Sequence, residues 1–331
     1  MSYIAVIGAG SWGTALARLL AEKEYDVSLW VYEKELCEEI KTTRLNSLYL
    51  PGCSIPENVA VTGDLEKAVN KSRYVLNVVP TQYTRTVIKA AVPFLSPDAV
   101  IVNAAKGIER KTLLTVSSIL REITSHRVAV ISGPSFAQEV SRKLPTAVTL
   151  SSEDIATSLL LQEIFNTQYF RVYTHDDVLG VELGGALKNV IAIASGISDG
   201  LGLGHNARAA LLTRGLVEIE RLGMAMGAQK HTFSGLSGLG DLILTCTAFL
   251  SRNYSLGTKL AKGMKLGDIL SQSKSVVEGV ATAESAYELS RKYNVQMPFV
   301  EQVYKVLYED KDPALAVTEL MNRALKTEFN A

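Results

Sequence analysis

The chain has 331 residues, and its 34 Lys plus Arg balance 34 Asp plus Glu to a formal net charge of zero. That length accommodates two domains and a sizeable core, and with no polybasic block nucleic-acid binding is not expected. Three scattered cysteines, Cys37, Cys53 and Cys246, lack CxxC spacing; they argue against a disulfide framework or a zinc centre and read as reduced structural thiols.

No basic leader precedes the first apolar run, and no stretch reaches the ~18 uncharged apolar residues that span a bilayer. A soluble, cytoplasmic protein without a membrane span is expected. The first half alternates short apolar runs with amphipathic stretches. Strands are predicted at Tyr3–Ile7, Val27–Val31, Tyr74–Val79, Val100–Ala104, Val128–Ile131 and Thr146–Leu150. Helices are predicted around Thr14–Glu22, Glu33–Arg44, Thr84–Val92 and Thr112–Ile123. Asn46–Asn58 breaks the rhythm with Pro51, Gly52 and Pro56 and reads as an ordered loop. Asp154–Phe165 reads as a further helix and Phe170–Tyr173 as a short strand. The βαβα order predicts an α/β Rossmann-type domain with a doubly wound, mostly parallel sheet.

After about His175 strand signals nearly vanish. Helices are predicted at Val178–Ile197, Ala207–Met226, Ser255–Lys262, Val280–Tyr293, Phe299–Tyr308 and Pro313–Leu325. The expected division is residues 1–175 as a dinucleotide-binding domain and 176–331 as an all-α substrate and catalytic domain.

The first strand runs into Gly8-Ala9-Gly10-Ser11-Trp12-Gly13 and then a helix pattern. This is G-x-G-x-x-G in its strand–turn–helix setting. Gly8 makes the tight turn, Gly10 admits a pyrophosphate and Gly13 lets helix and strand pack. The helix start offers free N–H groups to the phosphates. Trp12 either covers those phosphates or packs on the turn. The acid expected about 20 residues on is Glu33, which favours the ribose 2′-hydroxyl of NAD. Lys34 beside it offers a partner for the 2′-phosphate of NADP instead, and both readings stand at this stage.

Doubly wound folds bind ligands beyond the carboxyl ends of their strands. Three segments fall there: Asn77-Val78-Val79-Pro80, Asn103-Ala104-Ala105-Lys106-Gly107 and Ser132-Gly133-Pro134-Ser135-Phe136-Ala137. Together they suggest a site for an oxygen-rich anion, with Lys106 polarising a carbonyl or binding a phosphate. Ser135 has no GxSxG context, which argues against a hydrolase triad. The four histidines, His126, His175, His205 and His231, show no ligand spacing and read as structural or surface residues. The proton carriers are therefore sought among lysines. Lys188, followed by Asn189, lies in the apolar helical stretch Val181–Ala194, one turn past Gly184 and Gly185. If buried there, its pKa falls toward neutrality, which suits a proton donor. Farther on, Gly235–Asp241 is a glycine-rich turn ending in an acid, and Ser251-Arg252-Asn253 combines a helix cap, a helix start and an arginine, as an anion site requires.

With these residues the chain resembles the soluble bacterial NAD(P)-dependent sn-glycerol-3-phosphate dehydrogenases. The resemblance spans nearly the whole chain. It rests on GAGSWGTALA at 8–17, NAAKGIE at 103–109, SGPSFAQE at 132–139, LPTAV at 144–148, GGALKNVIAIASG at 184–196, ARAALLTRGL at 207–216, GLSGLGDLILTCT at 235–247, SRN at 251–253 and VVEG at 276–279. It implies reduction of dihydroxyacetone phosphate to sn-glycerol 3-phosphate with NADH or NADPH, feeding glycerophospholipid synthesis, in what is expected to be a homodimer. By this resemblance Lys188 is the proton donor and acceptor, and Lys106 is shared by substrate and nicotinamide. Gly133, Ser135, Asn189, Asp241, Ser251, Arg252 and Asn253 contact substrate, the last two at its phosphate, and Asp241 orients Lys188 or binds a substrate hydroxyl. Ser11, Trp12, Tyr32, Glu33, Ala137, Arg252, Val276 and Glu278 contact the cofactor. Where many relatives carry a basic residue or histidine after the second strand, this chain has Val31-Tyr32-Glu33. The competing readings are a related dehydrogenase with another phosphorylated or carboxylated substrate, and an NAD(P)-sensing regulator without turnover.

Overall fold

Runs of β-branched and aliphatic residues with few polar interruptions set the centre of the first half. Such runs suit strands buried on both faces. A computed structural model describes residues 3–273, 275–325 and 327–328; residues 329–331 of the expected second domain lie outside them. In chain order the elements are β1 (Tyr3–Ile7), α1 (Ser11–Glu22), β2 (Asp26–Trp30), α2 (Lys34–Thr43), β3 (Leu45–Asn46), β4 (Leu50–Ser54), β5 (Val59–Thr62), α3 (Leu65–Val69), β6 (Tyr74–Asn77), α4 (Thr81–Ala91), β7 (Val100–Asn103), α5 (Val116–Ile123), β8 (Arg127–Ser132), α6 (Ala137–Ser141), β9 (Thr146–Ser152), α7 (Ile155–Phe165) and β10 (Phe170–His175).

Eight of these strands form one sheet in the order β10-β9-β8-β7-β6-β1-β2-β5. All neighbours pair in parallel except β8 and β9, which are antiparallel. The register brings the carboxyl ends together: Ile7 lies opposite both Trp30 and Asn77, and Asn77 opposite Asn103. Apolar cores cover both faces, one around Ile4, Leu16, Leu29 and Leu150, the other around Ala5, Ile7, Ile88 and Ile101. Each buried Leu or Ile among them contributes about 1.5–3 kcal/mol.

The second half is helical: α8 (Val178–Gly200), α9 (Gly204–Ala225), a π-helical turn at Leu236–Gly240, α10 (Asp241–Thr247), α11 (Arg252–Ala261), α12 (Leu266–Ser271), α13 (Glu278–Lys292), α14 (Pro298–Tyr308) and α15 (Pro313–Met321). A helix that is apolar on every side belongs in a core, and α8 is the axis on which α9, α10, α11 and α13 pack. It begins at Asp177, whose carboxylate accepts from the N–H of Gly180 at 2.8 Å. It crosses α11 at backbone contact, since a Cβ at Gly257 would sit 2.1 Å from the carbonyl oxygen of Ile193. This crossing holds the start of α11 against the helix that carries Lys188.

Several expectations are corrected. The segment 46–58 is not a plain loop. Leu45–Asn46 and Leu50–Ser54 pair as a short antiparallel hairpin, and Val59–Thr62 adds an edge strand beside β2. Pro51 and Gly52 sit within the paired segment and hide its alternation. The helix expected from Thr112 begins only at Val116, because Lys111 and Leu113 adopt positive φ and Ile108 pairs with Thr115 across the turn. The helix expected from Ser255 begins at Arg252, capped by the Ser251 hydroxyl. By length and mean hydropathy (1.4) α8 does reach the range of a membrane span, but 94% of that window is buried inside the protein, as befits a core helix. The rings of His175 and His231, 56 residues apart in sequence, stack 5.3 Å apart.

Candidate active site

The glycine turn assigns each glycine a separate task. Gly8 has φ +114°, and a Cβ there would lie 2.9 Å from the carbonyl oxygen of Val78. At Gly13 a Cβ would come within 1.9 Å of the Gly8 oxygen, so only glycine lets α1 close on β1. At Gly10 a Cβ would meet nothing within 4 Å. That open space lies at the start of α1, where Ser11 and the following residues present backbone N–H groups without intrahelical partners. The indole of Trp12 packs toward Phe170, with centroids 6.3 Å apart, and its Nε1 is buried without a partner. An open cradle at a helix start fits a dinucleotide pyrophosphate. Gly10→Val is therefore expected to raise the dissociation constant for NADH more than about tenfold while the thermal midpoint stays near that of the parent. Titration calorimetry and a melting curve check both parts.

Beyond β7 and along α8 two lysines meet one carboxylate. Lys188 is buried, and its Nζ donates to Asp241 Oδ1 at 2.5 Å and to Thr245 Oγ1 at 2.6 Å. Lys106 Nζ donates to the other oxygen, Oδ2, at 2.6 Å and to the carbonyl of Gly133 at 2.8 Å. Thr245 completes the cluster by donating to Asp241 Oδ1 at 3.2 Å. Burial, aided by the nearby Lys106 charge and opposed by Asp241, lowers the Lys188 ammonium from 10.5 to about 8. Each ammonium has three protons. Two from each are engaged by described residues, which leaves one on each lysine for a ligand.

The two glycines ahead of Lys188 serve packing. A Cβ at Gly184 would lie 2.6 Å from the Ser237 oxygen, and one at Gly185 2.5 Å from Ser132 Oγ and 3.6 Å from the Lys106 stem. Their absence of side chains lets the turn carrying Asp241 and the strand end carrying Lys106 close on α8.

The start of α11 is joined to this cluster through Asn253 and Asn189. Ser251 spends its oxygen as the cap, accepting from Tyr254 N–H at 3.2 Å. Asn253 is not a free pair of donors: Nδ2 donates to Asn189 Oδ1 at 2.8 Å and Oδ1 accepts from Gly279 N–H at 3.0 Å. Asn189 in turn donates to the Lys106 carbonyl at 3.3 Å. Arg252 is exposed and donates to the Val276 carbonyl at 3.1 Å. Glu278 Oε1 accepts from Thr81 N–H at 2.8 Å, and burial pushes its carboxyl up to about 7. Ser135 bonds back to the Gly133 carbonyl at 3.0 Å, and Ala137 opens α6 beside it. Glu33 starts α2 and accepts from Tyr49 at 2.7 Å, whereas Tyr32 is exposed and meets only the edge of Trp30 among the described ring contacts.

Two groups were missed from sequence. Thr245 stands four residues after Asp241, a spacing that places both on one helical face and would have marked it. Glu182 was hidden in the apolar stretch. Fully buried, it accepts from Asn103 Nδ2 at 3.1 Å and from Ser117 at N (2.8 Å) and Oγ (2.5 Å), tying α8 to the strand end that leads to Lys106. Burial raises its carboxyl above the ordinary range, against the pull of the Ser117 hydrogen bonds.

Comparison with known proteins bears on this geometry. Residues 3–158 match the description NAD-dependent glycerol-3-phosphate dehydrogenase N-terminus, and residues 177–318 match the corresponding C-terminus. Over 329 residues the chain is 56% identical to glycerol-3-phosphate dehydrogenase [NAD(P)+] of Geobacter sulfurreducens, covering 98% of both chains. It is 53% identical to the protein of that description from Syntrophobacter fumaroxidans, covering 98% of this chain and 97% of the relative. The crystal structure of the Coxiella burnetii glycerol-3-phosphate dehydrogenase superposes with a TM-score of 0.94 at 42% identity, covering 97% of this chain and 99% of that one. The chain belongs to the NAD-dependent glycerol-3-phosphate dehydrogenase family.

Proposed function

We propose that this chain reduces dihydroxyacetone phosphate reversibly to sn-glycerol 3-phosphate, with residues 1–175 binding NADH or NADPH and 176–331 providing the substrate and catalytic groups. The observation that carries the reading is the single carboxylate of Asp241 shared by Lys188 and Lys106, with one proton of each lysine left over. When bound, the reduced nicotinamide supplies hydride to the ketone carbon. Lys188 Nζ, near 8, is largely protonated at neutral pH and gives a proton to the developing alkoxide. Lys106 keeps a cation beside the same oxygen and stabilises its charge. Asp241 holds both ammonium groups at fixed positions, so little reorganisation accompanies the reaction.

The phosphate is assigned to the start of α11. Arg252 supplies the charge, and the free backbone N–H groups of Arg252 and Asn253 supply donors. The Asn253 amide fixes Asn189 and the start of α13 with one Nδ2 proton and with Oδ1, which leaves its second Nδ2 proton and its backbone N–H for the anion. Gly133, Ser135 and Ser251 form the polar surround. Binding energy at the phosphate then places the carbonyl at the lysine pair.

The test compares dihydroxyacetone phosphate with dihydroxyacetone, following loss of NADH and NADPH absorbance. With the phosphate removed, kcat/KM is expected to fall by about 10³-fold or more, the scale of a lost charged anchor of 4 kcal/mol. Equal use of both substrates would overturn the phosphate assignment, and no consumption of either cofactor would favour a sensing protein.

A further inference from the structure

We propose that Glu182 is a positioning residue for this reaction: through the side chain of Asn103 it sets the segment carrying Lys106 in register with the face of α8 that carries Lys188. The inference rests on the reading of the two lysines as the reactive pair.

Lys106 stands on backbone that belongs to no strand or helix. β7 ends at Asn103, and residues 104–107 have no regular structure. The Asn103 amide takes over there from the sheet ladder. Its Oδ1 accepts from the N–H of Ala105 at 3.0 Å, and its Nδ2 donates to the Ala105 carbonyl at 3.1 Å. This clip works in one orientation of the amide only, because the reversed amide would turn its NH2 on the Ala105 N–H. Two buried neighbours meet the amide. Asn77 Nδ2 donates to Oδ1 at 3.1 Å, and Glu182 Oε1 accepts from Nδ2 at 3.1 Å. Asn77 carries an amide that can itself turn over. Glu182 Oε1 has no such freedom: it also accepts from the backbone N–H of Ser117 at 2.8 Å and is an acceptor in either protonation state. Glu182 therefore decides which way the clip faces.

Two further contacts run along the same face of α8. A Cβ at Gly185 would come within 3.6 Å of the Lys106 stem, and Asn189 Nδ2 donates to the Lys106 carbonyl at 3.3 Å. Residues 182, 185 and 189 are spaced three and four apart and form one row on the helix. Lys188 stands beside the end of that row. The contact at Glu182 thus fixes how far along α8 the Lys106 segment arrives, and so whether both ammonium groups meet Asp241.

The experiment measures kcat, KM and the pH–rate profile on dihydroxyacetone phosphate, together with NADH affinity and a thermal melt, for the parent, Glu182→Gln, Glu182→Met, Asn103→Ala and Ser117→Ala. Glutamine keeps an acceptor toward Asn103 and should stay within a few-fold of the parent. Methionine is close in size and removes the acceptor. For Glu182→Met, kcat is expected to fall about 10- to 10²-fold, the scale of a reactive group displaced by about 1 Å. KM and NADH affinity should hold, because the start of α11 and the glycine turn are untouched. With Lys106 drawn off, its charge no longer helps to hold the Lys188 ammonium down, so the alkaline limb should move above about 8. Asn103→Ala should give the same two changes, and it decides the matter alone if Glu182→Met does not fold. Ser117→Ala removes the hydroxyl that donates to Glu182 Oε2 at 2.5 Å but leaves the bond to Asn103. It should lower the melting temperature with kcat and the limb unmoved. If Glu182→Met and Asn103→Ala do no more than Ser117→Ala, the positioning role is overturned and the lysine pair stands. A parent without an alkaline limb overturns the reading of the pair and this role with it.

Discussion

Lys188→Met is expected to lower turnover on dihydroxyacetone phosphate by about 10³-fold, within the range of a lost general acid, while the dissociation constant for NADH changes little. Methionine matches the buried stem in length and apolar character. Asp241 keeps Lys106 as a partner at 2.6 Å, so the substitution leaves no isolated carboxylate in the interior. The open space at Gly10, proposed for the cofactor, belongs to a different element, the start of α1. A companion effect lies in pH. Lys188 titrates near 8, so the protonated donor is present below that value and lost above it. In the parent, kcat/KM for ketone reduction should therefore fall as pH rises through about 8, and oxidation of glycerol 3-phosphate should gain over the same interval. The variant should lose that limb. Steady-state assays in both directions across this range check the assignment, and turnover near that of the parent would remove Lys188 from the reaction.

What the sequence disclosed depended on how far apart the interacting residues lie. The glycine turn is local, so the tight turn at Gly8 and the close packing at Gly13 were legible from spacing. Lys188 stood out as a cation in an apolar helix, and Glu182 carried the same signal on the same helix. Its partners, Ser117 and Asn103, lie 65 and 79 residues away, and no local pattern joins them. The reason for Gly184 and Gly185 was equally distant, in the close passage of Ser237 and Ser132. Asn253 was correctly placed at a helix start, but its amide is committed to Asn189, 64 residues earlier. The β3–β4 hairpin escaped because β3 has two residues and β4 contains Pro51 and Gly52. Its consequence, a tyrosine holding Glu33, is a property of the folded chain alone.

Asp241→Asn is expected to affect both stability and the pH profile, because its carboxylate is shared by two ammonium groups, those of Lys106 and Lys188. The amide has nearly the same shape, so the change isolates charge. Removing one partner of a buried pair costs about 3–5 kcal/mol when the remaining charge has no outlet. Here Lys188 has one, since it can lose its proton, and Lys106 is partly exposed; the loss should fall near the lower bound. The electrostatic consequence follows from what sets Lys188. Burial already holds its ammonium down, Asp241 opposes that, and Lys106 adds to it. Without Asp241 the two lowering influences act unopposed, so Lys188 must titrate below about 8. The alkaline limb of ketone reduction then moves to lower pH. At pH near 8 turnover should drop by about 10²-fold or more, from the combined loss of donor and of alignment. A thermal melt and a pH–rate profile measured on the same preparation separate the two effects. A variant that melts earlier but keeps the parent's pH limb would mean that Asp241 only holds the cluster together, and that the Lys188 proton is governed from elsewhere.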